Sequence, residues 1–534
     1  MDKIKTYALL LVVPILLFVT AKTLRISEGP YYFNAGYDPN YVYAVSSLNL
    51  INSVNAAHAD HPGSTVQLLG AGFLLLSGKS PQQINVSVLS DPESYLSNFN
   101  LFLIFITCLC VFICGFIIFR LSGKISVSMF MQITPFISST LIFEITQTTS
   151  EIFLISMLML NIALIFSAKY SAERSGILKF SYSVFFGLIS GICMATKITF
   201  FPLLVIPLII LPGYKNKSAF VLITVIIFFI ITYPVMGTYE YFMSWIGRLI
   251  MYDGLYGEGN RVIFNLHSFS NNFTEMIFKD YLFILVFISA ISVLIFCKIK
   301  VSKEEIKMNF SRKILLAIVI AAAIQIIAVS KHYSQHYLVP SIMLTLLMVY
   351  QIYSLCGEYE IIKSIKNKSN FFIIIYLIFA VITAVMVFKV YNDSEELAED
   401  TKRVIKIADE KADSMVIVNS YGASNRKYGL VFSMNWAGKN KELYESILNY
   451  KPDKRIFADF WDNKVTIYQP DDLVKSKLKN ANSVLLRLKF FNFNKNAVSN
   501  FTNYLKEVNP SVEYEHREII RIESGESIIE FLKK

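Results

Sequence analysis

Residues 36–70 read GYDPNYVYAVSSLNLINSVNAAHADHPGSTVQLLG and follow the first hydrophobic segment of the chain. Apolar residues recur in this stretch at steps of three or four: Tyr41, Val45, Leu48 and Ile51. That spacing predicts an amphipathic helix lying in the membrane interface with its polar face toward water. Asp38 stands just before this helix, where the helix dipole stabilises an aspartate, so a capping role and a catalytic role are both open.

The composition of the whole chain is that of a membrane protein. Of its 534 residues, 54% are hydrophobic and 17% are charged, and the mean hydropathy is +0.49. A soluble domain of this size does not need so much apolar surface. The net charge of +10 is scattered through short loops and forms no basic patch with interleaved aromatics, so nucleic acid is not an expected partner.

Apolar runs long enough to cross a bilayer occur at eleven places. They are 7–23, 99–119, 125–143, 152–168, 180–196, 198–212, 218–236, 281–297, 314–330, 337–354 and 371–390. The run at 198–212 is short and holds Pro202 and Pro207, so a broken or re-entrant segment is the alternative there. We interpret the first run as a membrane anchor, because no convincing signal-peptide cleavage site follows it.

The loop charges predict the orientation. With the N-terminus in the cytoplasm, lysines and arginines concentrate in the inner loops, near 120–124, 169–179, 215–217, 298–313 and 363–368. The longer outer loops hold far fewer, as the positive-inside rule requires. The protein is therefore expected in a bacterial cell (inner) membrane, with its N-terminus in the cytoplasm and residues 391–534 on the extracytoplasmic side.

Two domains are predicted. Residues 1–390 form a transmembrane domain of about eleven helices, with interfacial helices in a first outer loop at 24–98. Residues 391–534 are richer in charge and form a small extracytoplasmic α/β domain. Within it we predict strands at 414–419, 483–488 and 519–522, and helices near 395–411 and 496–507. The six cysteines all lie in or next to spans, so we predict no disulfides in the exposed domain.

Ionisable residues collect on the outer side under this topology. They are Asp38, Asp60, His61, Glu144, Glu151, Lys197, Asp253, Glu258, Arg261, Lys331, His332 and His336. Such residues at span ends on one side indicate an outward-facing cavity rather than a through-channel. Each also has a simpler explanation. Lys197 can snorkel to the interface, and His332 and His336 can be hydrogen-bonded interface residues rather than metal ligands.

Four short motifs resemble those of the GT-C glycosyltransferases, which use lipid-linked sugars. They are Asp38 with a helix and then HPG (61–63), TSEIFLISMLML (149–160), ATKITFFPLL (195–204) and KHYSQHYLVPSIML (331–344). The resemblance covers residues 1–390, and the chain is similar to the protein mannosyltransferase and aminoarabinose transferase group. The chain lacks a WWDYG-type sequence, and Pro39 follows Asp38 where mannosyltransferases have a second acidic residue. These departures leave the acceptor and any divalent metal ion open.

The resemblance implies an integral membrane glycosyltransferase that moves a hexose or pentose from a polyprenyl-phosphate donor to an acceptor hydroxyl outside the membrane. The acceptor is a glycan, a lipid or a protein of the cell envelope. Asp38 is the expected catalytic base. The expected contacts to the donor phosphate are Lys197, Lys331, Arg261, His332 and His336. Residues expected to bind the acceptor or support the site are His61, Asp60, Glu144, Glu151, Asp253 and Glu258.

The loop at 237–280 is long and mixes glycines, aromatics and charges. We predict that its segment DGLYGEGN (253–260) orders over the site when the donor binds, although a plain turn is also possible there.

Three other functions stay open. An O-antigen-type polymerase or ligase handles the same donors but usually has arginine-rich outer loops, whereas this loop has only Arg248 and Arg261. A lipid-linked-sugar transporter or flippase should show internal repeats and broken helices at mid-membrane. A non-catalytic anchor for the tail would not need Asp38, His61, Lys197 and Lys331 together.

Overall fold

The structure is a computed structural model. It describes residues 3–33, 37–58, 62–175, 178–252, 261–262, 266–300, 310–358, 368–411, 416–420, 423–448, 455–459, 465–467, 469–489, 496–523 and 525–534. The chain divides into two compact units. The first comprises Met1–Thr23, Ala59–Val66 and Leu101–Val390, and the second comprises Leu24–His58, Gln67–Asn100 and Tyr391–Lys534. Most of the predicted first outer loop therefore belongs to the same unit as the tail.

Residues before the tail are almost entirely helical. In chain order the helices are α1 (Lys3–Ser27), α2 (Tyr37–Ile51), α3 (Ser64–Leu75), α4 (Pro81–Ser90), α5 (Pro92–Ser122), α6 (Ile125–Gln132), α7 (Ser139–Glu144), α8 (Ser150–Ser175), α9 (Phe180–Thr196), α10 (Val205–Ile210), α11 (Gly213–Met236), α12 (Glu240–Met251), α13 (Leu266–Lys279), α14 (Tyr281–Lys300), α15 (Phe310–Val329), α16 (Val339–Ile342), α17 (Thr345–Glu358) and α18 (Lys368–Glu410). Short 3₁₀ helices lie at Thr134–Phe136, Ile198–Leu204 and Gln335–Leu338.

The protein is a multi-pass membrane protein. Within the described residues, eight helical segments are long and apolar enough to cross a membrane: Tyr7–Ser27, Pro92–Ser122, Ser150–Arg174, Gly213–Met236, Tyr281–Ile299, Phe310–Val329, Gln335–Gly357 and Leu377–Glu410. Each overlaps one of the eleven predicted spans. Phe180–Thr196 and Ile198–Ile210 overlap two more but are shorter.

The predicted span at 125–143 does not form one helix. It is divided into α6, the 3₁₀ helix Thr134–Phe136 and α7. Pro135 has no backbone N–H to continue an α-helix. Ser138 then starts α7, since its side chain accepts a hydrogen bond from the backbone N–H of Thr140. At 198–212 the two prolines likewise give a 3₁₀ helix and the short α10, which is the broken form that the sequence had allowed.

The tail contains a mixed β-sheet. Its strands are β1 (Val416–Ser420), β2 (Arg455–Asp459), β3 (Thr466–Ile467), β4 (Ser483–Leu488), β5 (Tyr514–Arg521) and β6 (Ser527–Lys533). Among the described residues their order is β3-β2-β1-β4-β6-β5. β1 is parallel to both β2 and β4, and β6 is antiparallel to β4 and β5. The helices are α19 (Arg426–Ser433), α20 (Lys441–Leu448), α21 (Asp471–Asn480) and α22 (Ala497–Val508).

Both faces of this sheet are covered, because side chains along a strand point alternately to opposite faces. On one face, Val416 and Val418 pack with apolar residues of α21 and α22. On the other, Ile417 of β1 packs with Val404 and Ala408 near the end of α18. The strands and helices predicted in the tail all overlap observed elements, whereas β2, β3 and β6 were not predicted.

Helix α2 forms as predicted but not as an interfacial helix with a wet polar face. Its apolar side, including Tyr41, Val45 and Leu48, is fully buried, and so are the polar residues Ser47 and Asn49. The physical reason is a second packing surface, since α2 contacts α19 of the tail within the same unit. The polar side of α2 therefore faces protein rather than water.

Hydrogen bonds hold α2 to the tail. Asn49 Nδ2 donates to the carbonyl of Trp436 at 3.0 Å, and Tyr444 Oη donates to Asn49 Oδ1 at 3.1 Å. Asn440 Nδ2 also donates to Asn49 Oδ1, at 3.2 Å. A buried asparagine that is satisfied this way fixes the register of α2 against the tail.

Candidate functional site

A buried ion pair joins two of the sequence motifs in the first unit. Lys197 Nζ donates to Glu151 Oε1, and both side chains are at most 6% exposed. Glu151 lies in the first turn of α8, and Lys197 follows the last residue of α9. A lysine and a glutamate this deeply buried are stable only when they neutralise each other, so Lys197 does not snorkel to a membrane surface.

The HPG motif packs beside Lys197. The backbone N–H of Gly63 donates to the carbonyl of Thr196 at 3.1 Å. Thr65 Oγ1 donates to Thr196 Oγ1 at 2.8 Å, and Pro62 and Lys197 form an isolated antiparallel β-bridge. Segments about 130 residues apart in sequence are thus brought together.

The KHYSQHYLVP motif also contacts the Glu151–Lys197 ion pair. His336 Nε2 lies 3.9 Å from Glu151 Oε1, and its Nδ1 is 3.0 Å from Ser334 Oγ. The ring of Tyr337 lies 5.1 Å from Lys197 Nζ, within range of a cation–π interaction. This helical turn is fixed by Gln325, whose Nε2 donates to the carbonyl of Tyr337 at 2.7 Å.

Glu144 lies at the same end of the helices. It is buried, and Thr149 Oγ1 donates to its Oε2 at 3.2 Å. Glu144 also interacts electrostatically with Lys197. The structure thus brings four of the predicted residues, Glu144, Glu151, Lys197 and His336, into one polar cluster, which we call the Glu151–Lys197 site.

Lys331 and His332 do not contact the ion pair in the described contacts; they bind carbonyl groups of α12. Lys331 Nζ donates to the carbonyl of Ile250 at 2.6 Å, and His332 Nε2 donates to that of Leu249 at 3.0 Å. Both acceptors are near the end of α12, where unsatisfied helix carbonyls attract cations. Arg261 is exposed and pairs with Tyr252 in an isolated β-bridge.

Asp38 is exposed and belongs to the second unit. Its backbone is extended, with φ −112° and ψ 118°, so it lies at the N-terminal edge of α2 as predicted, before a cis peptide bond to Pro39. Four other predicted site residues lie outside the described residues: Asp60, His61, Asp253 and Glu258. The segment 253–260 that we expect to order over the site also lies outside them.

Asp280 was not predicted as a site residue. It directly precedes α14 and is only 4% exposed. Ser138 Oγ donates to its Oδ1 at 3.0 Å, and the two residues line a shared cavity with Thr345. Burial raises the pKa of Asp280 to about 6. The available signal was an aspartate placed immediately before an apolar run, in KDYLFILVF.

Metal binding was left open by the sequence. Across the described part of the chain, no group of three histidine, cysteine or acidic side chains could hold a metal ion.

Comparison with known proteins gives one structural neighbour to report. No protein-family model matches the chain, and no curated protein matches it. The chain is similar to the crystal structure of ArnT from Cupriavidus metallidurans bound to undecaprenyl phosphate, with 12% sequence identity and a TM-score of 0.45, over 97% of each chain.

Proposed function

We propose that the protein is a membrane glycosyltransferase that moves a sugar from a polyprenyl-phosphate donor to an acceptor hydroxyl outside a bacterial cell membrane. The single observation that carries this proposal is the Glu151–Lys197 site. Segments of all four motifs that resemble those of the GT-C enzymes meet there, and one of them supplies the buried lysine.

The proposed chemistry needs a base and a stabiliser of negative charge. The acceptor oxygen attacks the anomeric carbon, the bond from that carbon to the phosphate oxygen breaks, and polyprenyl phosphate leaves. The acceptor proton passes to a carboxylate, for which we propose Asp38. Lys197, held in place by Glu151, is the proposed cation for the leaving phosphate, because a positioned charge in a poorly hydrated site stabilises charge that grows during the reaction.

Other predicted groups keep secondary roles in the proposal. Arg261, Lys331, His332 and His336 are proposed to contact the donor phosphate, and Glu144 to support Lys197 or bind the acceptor. The sugar, the acceptor and any metal ion are left for the assay to identify.

The decisive experiment is transfer by the purified full-length protein in liposomes, using radiolabelled undecaprenyl-phosphate sugars and cell-envelope acceptors. Asp38→Asn should lower transfer by at least about a hundredfold, as expected for loss of a general base. Asp91→Asn is the matched control, since Asp91 is an exposed carboxylate of the same unit, paired with Arg426. Asp91→Asn should leave transfer unchanged.

The same assay separates the alternatives. Release of undecaprenyl phosphate together with a labelled acceptor supports glycosyl transfer. Movement of the intact labelled donor across the bilayer, without release, would instead show a flippase. Full transfer by Asp38→Asn would remove Asp38 from the proposed role.

A further inference from the structure

A small cavity lies in the first unit, where α13 meets α14. Its lining includes the polar residues Ser138, Asp280 and Thr345 and the apolar residues Ile342 and Met386. These residues come from the segment before α7, the junction of α13 and α14, and helices α16, α17 and α18. The cavity has room for a water molecule or a small ion but not for a larger ligand.

Asp280 brings a buried carboxylate to this cavity. The residue is 4% exposed, Ser138 Oγ donates to its Oδ1, and Gln335 also hydrogen-bonds to the carboxyl group. Its Oδ2 is buried and has no partner among the described residues. Buried polar atoms normally have a partner, and leaving a charged group unsatisfied costs more than leaving a neutral one. A ligand bound at Oδ2 would remove that cost.

Helix capping does not account for the Asp280 side chain. An aspartate that directly precedes a helix usually accepts hydrogen bonds from the first backbone N–H groups of that helix. The hydrogen bonds that act on the Asp280 carboxyl group in the described structure come from the side chains of Ser138 and Gln335, not from the backbone of α14. The carboxylate is therefore held toward the cavity rather than toward the start of α14.

An ion pair with the neighbouring lysine does not account for it either. Lys279 also lines the cavity, but its Nζ lies 2.5 Å from Glu275 Oε1, and both of these side chains are nearly half exposed. The charge of Lys279 acts on Asp280, yet burial is the larger influence and raises the pKa of Asp280 to about 6. The negative charge of Asp280 is thus only partly compensated within the described chain.

The polar groups of the cavity offer oxygen lone pairs rather than hydrogen-bond donors. The hydroxyl hydrogen of Ser138 is used on Asp280, and that of Thr345 is donated to the carbonyl of Ile342 at 2.6 Å. Both hydroxyl oxygens retain a lone pair, as does Asp280 Oδ2. An anion would find no donor among these three groups. A cation would find three oxygen ligands, which are the ligands that hard metal ions prefer.

The charge of the cavity indicates the class of cation. One carboxylate neutralises one positive charge, whereas calcium sites usually use several carboxylates. Across the described residues, no group of three histidine, cysteine or acidic side chains could hold a metal ion. A small monovalent ion therefore fits both the size and the charge of this cavity.

We propose that Asp280, Ser138 and Thr345 bind a sodium ion. Asp280 Oδ2 supplies the negative charge, Ser138 Oγ and Thr345 Oγ1 supply neutral oxygens, and water completes the coordination shell. The ion connects the segment before α7, the α13–α14 junction and α17. None of the four residues of the Glu151–Lys197 site lines the described cavity, and the inference does not rest on the proposed glycosyl transfer.

The test is equilibrium binding of radioactive sodium to the full-length protein in an uncharged detergent, with choline chloride as the background salt. Wild-type protein should bind sodium saturably. Its unfolding temperature should rise when sodium chloride replaces choline chloride at constant ionic strength, because a ligand that binds only the folded state stabilises it. Choline is too large for the cavity. Asp280→Asn should weaken sodium binding by at least about tenfold, since it removes the charge opposite the ion.

Two further variants and one stability measurement make the result decisive. Thr345→Val removes a neutral oxygen and keeps the charge, so it should weaken sodium binding less than Asp280→Asn does. Asp393→Asn is the matched control, since Asp393 is an exposed aspartate of α18, the helix that carries Met386, and it should bind sodium as wild type does. In choline chloride, Asp280→Asn should unfold at an unchanged or higher temperature, because a neutral amide is less costly to bury than a carboxylate.

The outcomes that would overturn the proposal are specific. Wild-type protein that binds no sodium saturably would do so, and so would Asp280→Asn protein that binds sodium as tightly as wild type. A folded Asp280→Asn protein that has lost sodium binding, beside an Asp393→Asn protein that has kept it, supports the site.

Discussion

Glu151 and Lys197 illustrate how a buried charge is tolerated at the residue scale. Each is almost completely removed from solvent, which is costly for a single ion. Their contact, the nearby His336 and the ring of Tyr337 together offset that cost. Because the pair is satisfied within the protein, Lys197 is positioned before any substrate arrives, and that is the property required of an electrostatic stabiliser.

The pair should respond to mutation as a unit. Glu151→Gln or Lys197→Met alone should destabilise the protein by about 3–5 kcal/mol, since each leaves one buried charge uncompensated. The double variant Glu151→Gln/Lys197→Met should recover most of that loss. Thermal unfolding of the detergent-solubilised protein measures all three.

The exposed pair Glu275–Lys279 provides the control. Both side chains are nearly half exposed, so Glu275→Gln should cost less than about 1 kcal/mol. Additive effects of the two single changes at 151 and 197 would contradict the coupling that we infer.

At the scale of elements, α9 and α11 pack through two glycines. Gly187 and Gly191 are four residues apart and so share one side of α9, as in small-residue helix contacts within membranes. A Cβ at Gly191 would lie 2.6 Å from Cβ of Ile227 and 2.8 Å from the carbonyl oxygen of Thr224. These distances leave no room for a methyl group, so the two helices approach each other only because both positions are glycine.

Gly191→Ala should therefore lower stability by about 1–3 kcal/mol, as overpacking does in a tightly packed interior. Gly247→Ala in α12 is the matched control, because no heavy atom lies within 4 Å of its added Cβ. It should be neutral or stabilising by about 0.5–1 kcal/mol. The measurement is the midpoint of SDS-induced unfolding. Equal midpoints for the two variants would argue against close packing of α9 on α11.

At the scale of the whole molecule, the second unit is built from two distant parts of the chain. Helices α2 and α4 come from the segment before Leu101, and they contact α19 and α20 of the tail. Arg426 of α19 also pairs with Asp91 at 3.1 Å, although both side chains are half exposed. The tail is therefore not a separable appendage, because it covers side chains of α2.

Replacement of Asn49 tests whether α2 packs against the tail. Asn49→Leu removes the acceptor of two hydrogen bonds and the donor to Trp436, so it should destabilise the unit by about 2 kcal/mol or more. We expect faster cleavage within residues 37–58 by a protease added to the purified protein. Arg426→Gln breaks only an exposed ion pair between the same parts, and it should leave the cleavage rate nearly unchanged. Equal protease resistance of Asn49→Leu and wild type would contradict the assignment of α2 to the tail.

Several of these features could be anticipated from sequence. All eight long apolar helices overlap predicted spans, because hydropathy over some twenty residues is a local property. The strand at 483–488 was predicted at its observed bounds for a similar reason, since a short apolar run between polar turns is read locally. The predicted span at 125–143 was wrong as a single helix because of a proline. Pro135 interrupts the helix there, and a hydropathy average does not detect such a break.

The sequence by itself determined that the chain is a multi-pass membrane protein with an α/β tail, and it indicated which motifs could contribute to a site. Only the tertiary structure decided that Lys197 pairs with Glu151, that Asp280 is buried beside Ser138, that α2 is covered by the tail, and that Asn419 lies across from Arg487. The physical reason is the distance along the chain over which each property is determined. Hydropathy and periodicity depend on neighbours along the chain, whereas ion pairs, buried hydrogen bonds and strand register depend on residues tens or hundreds of positions away.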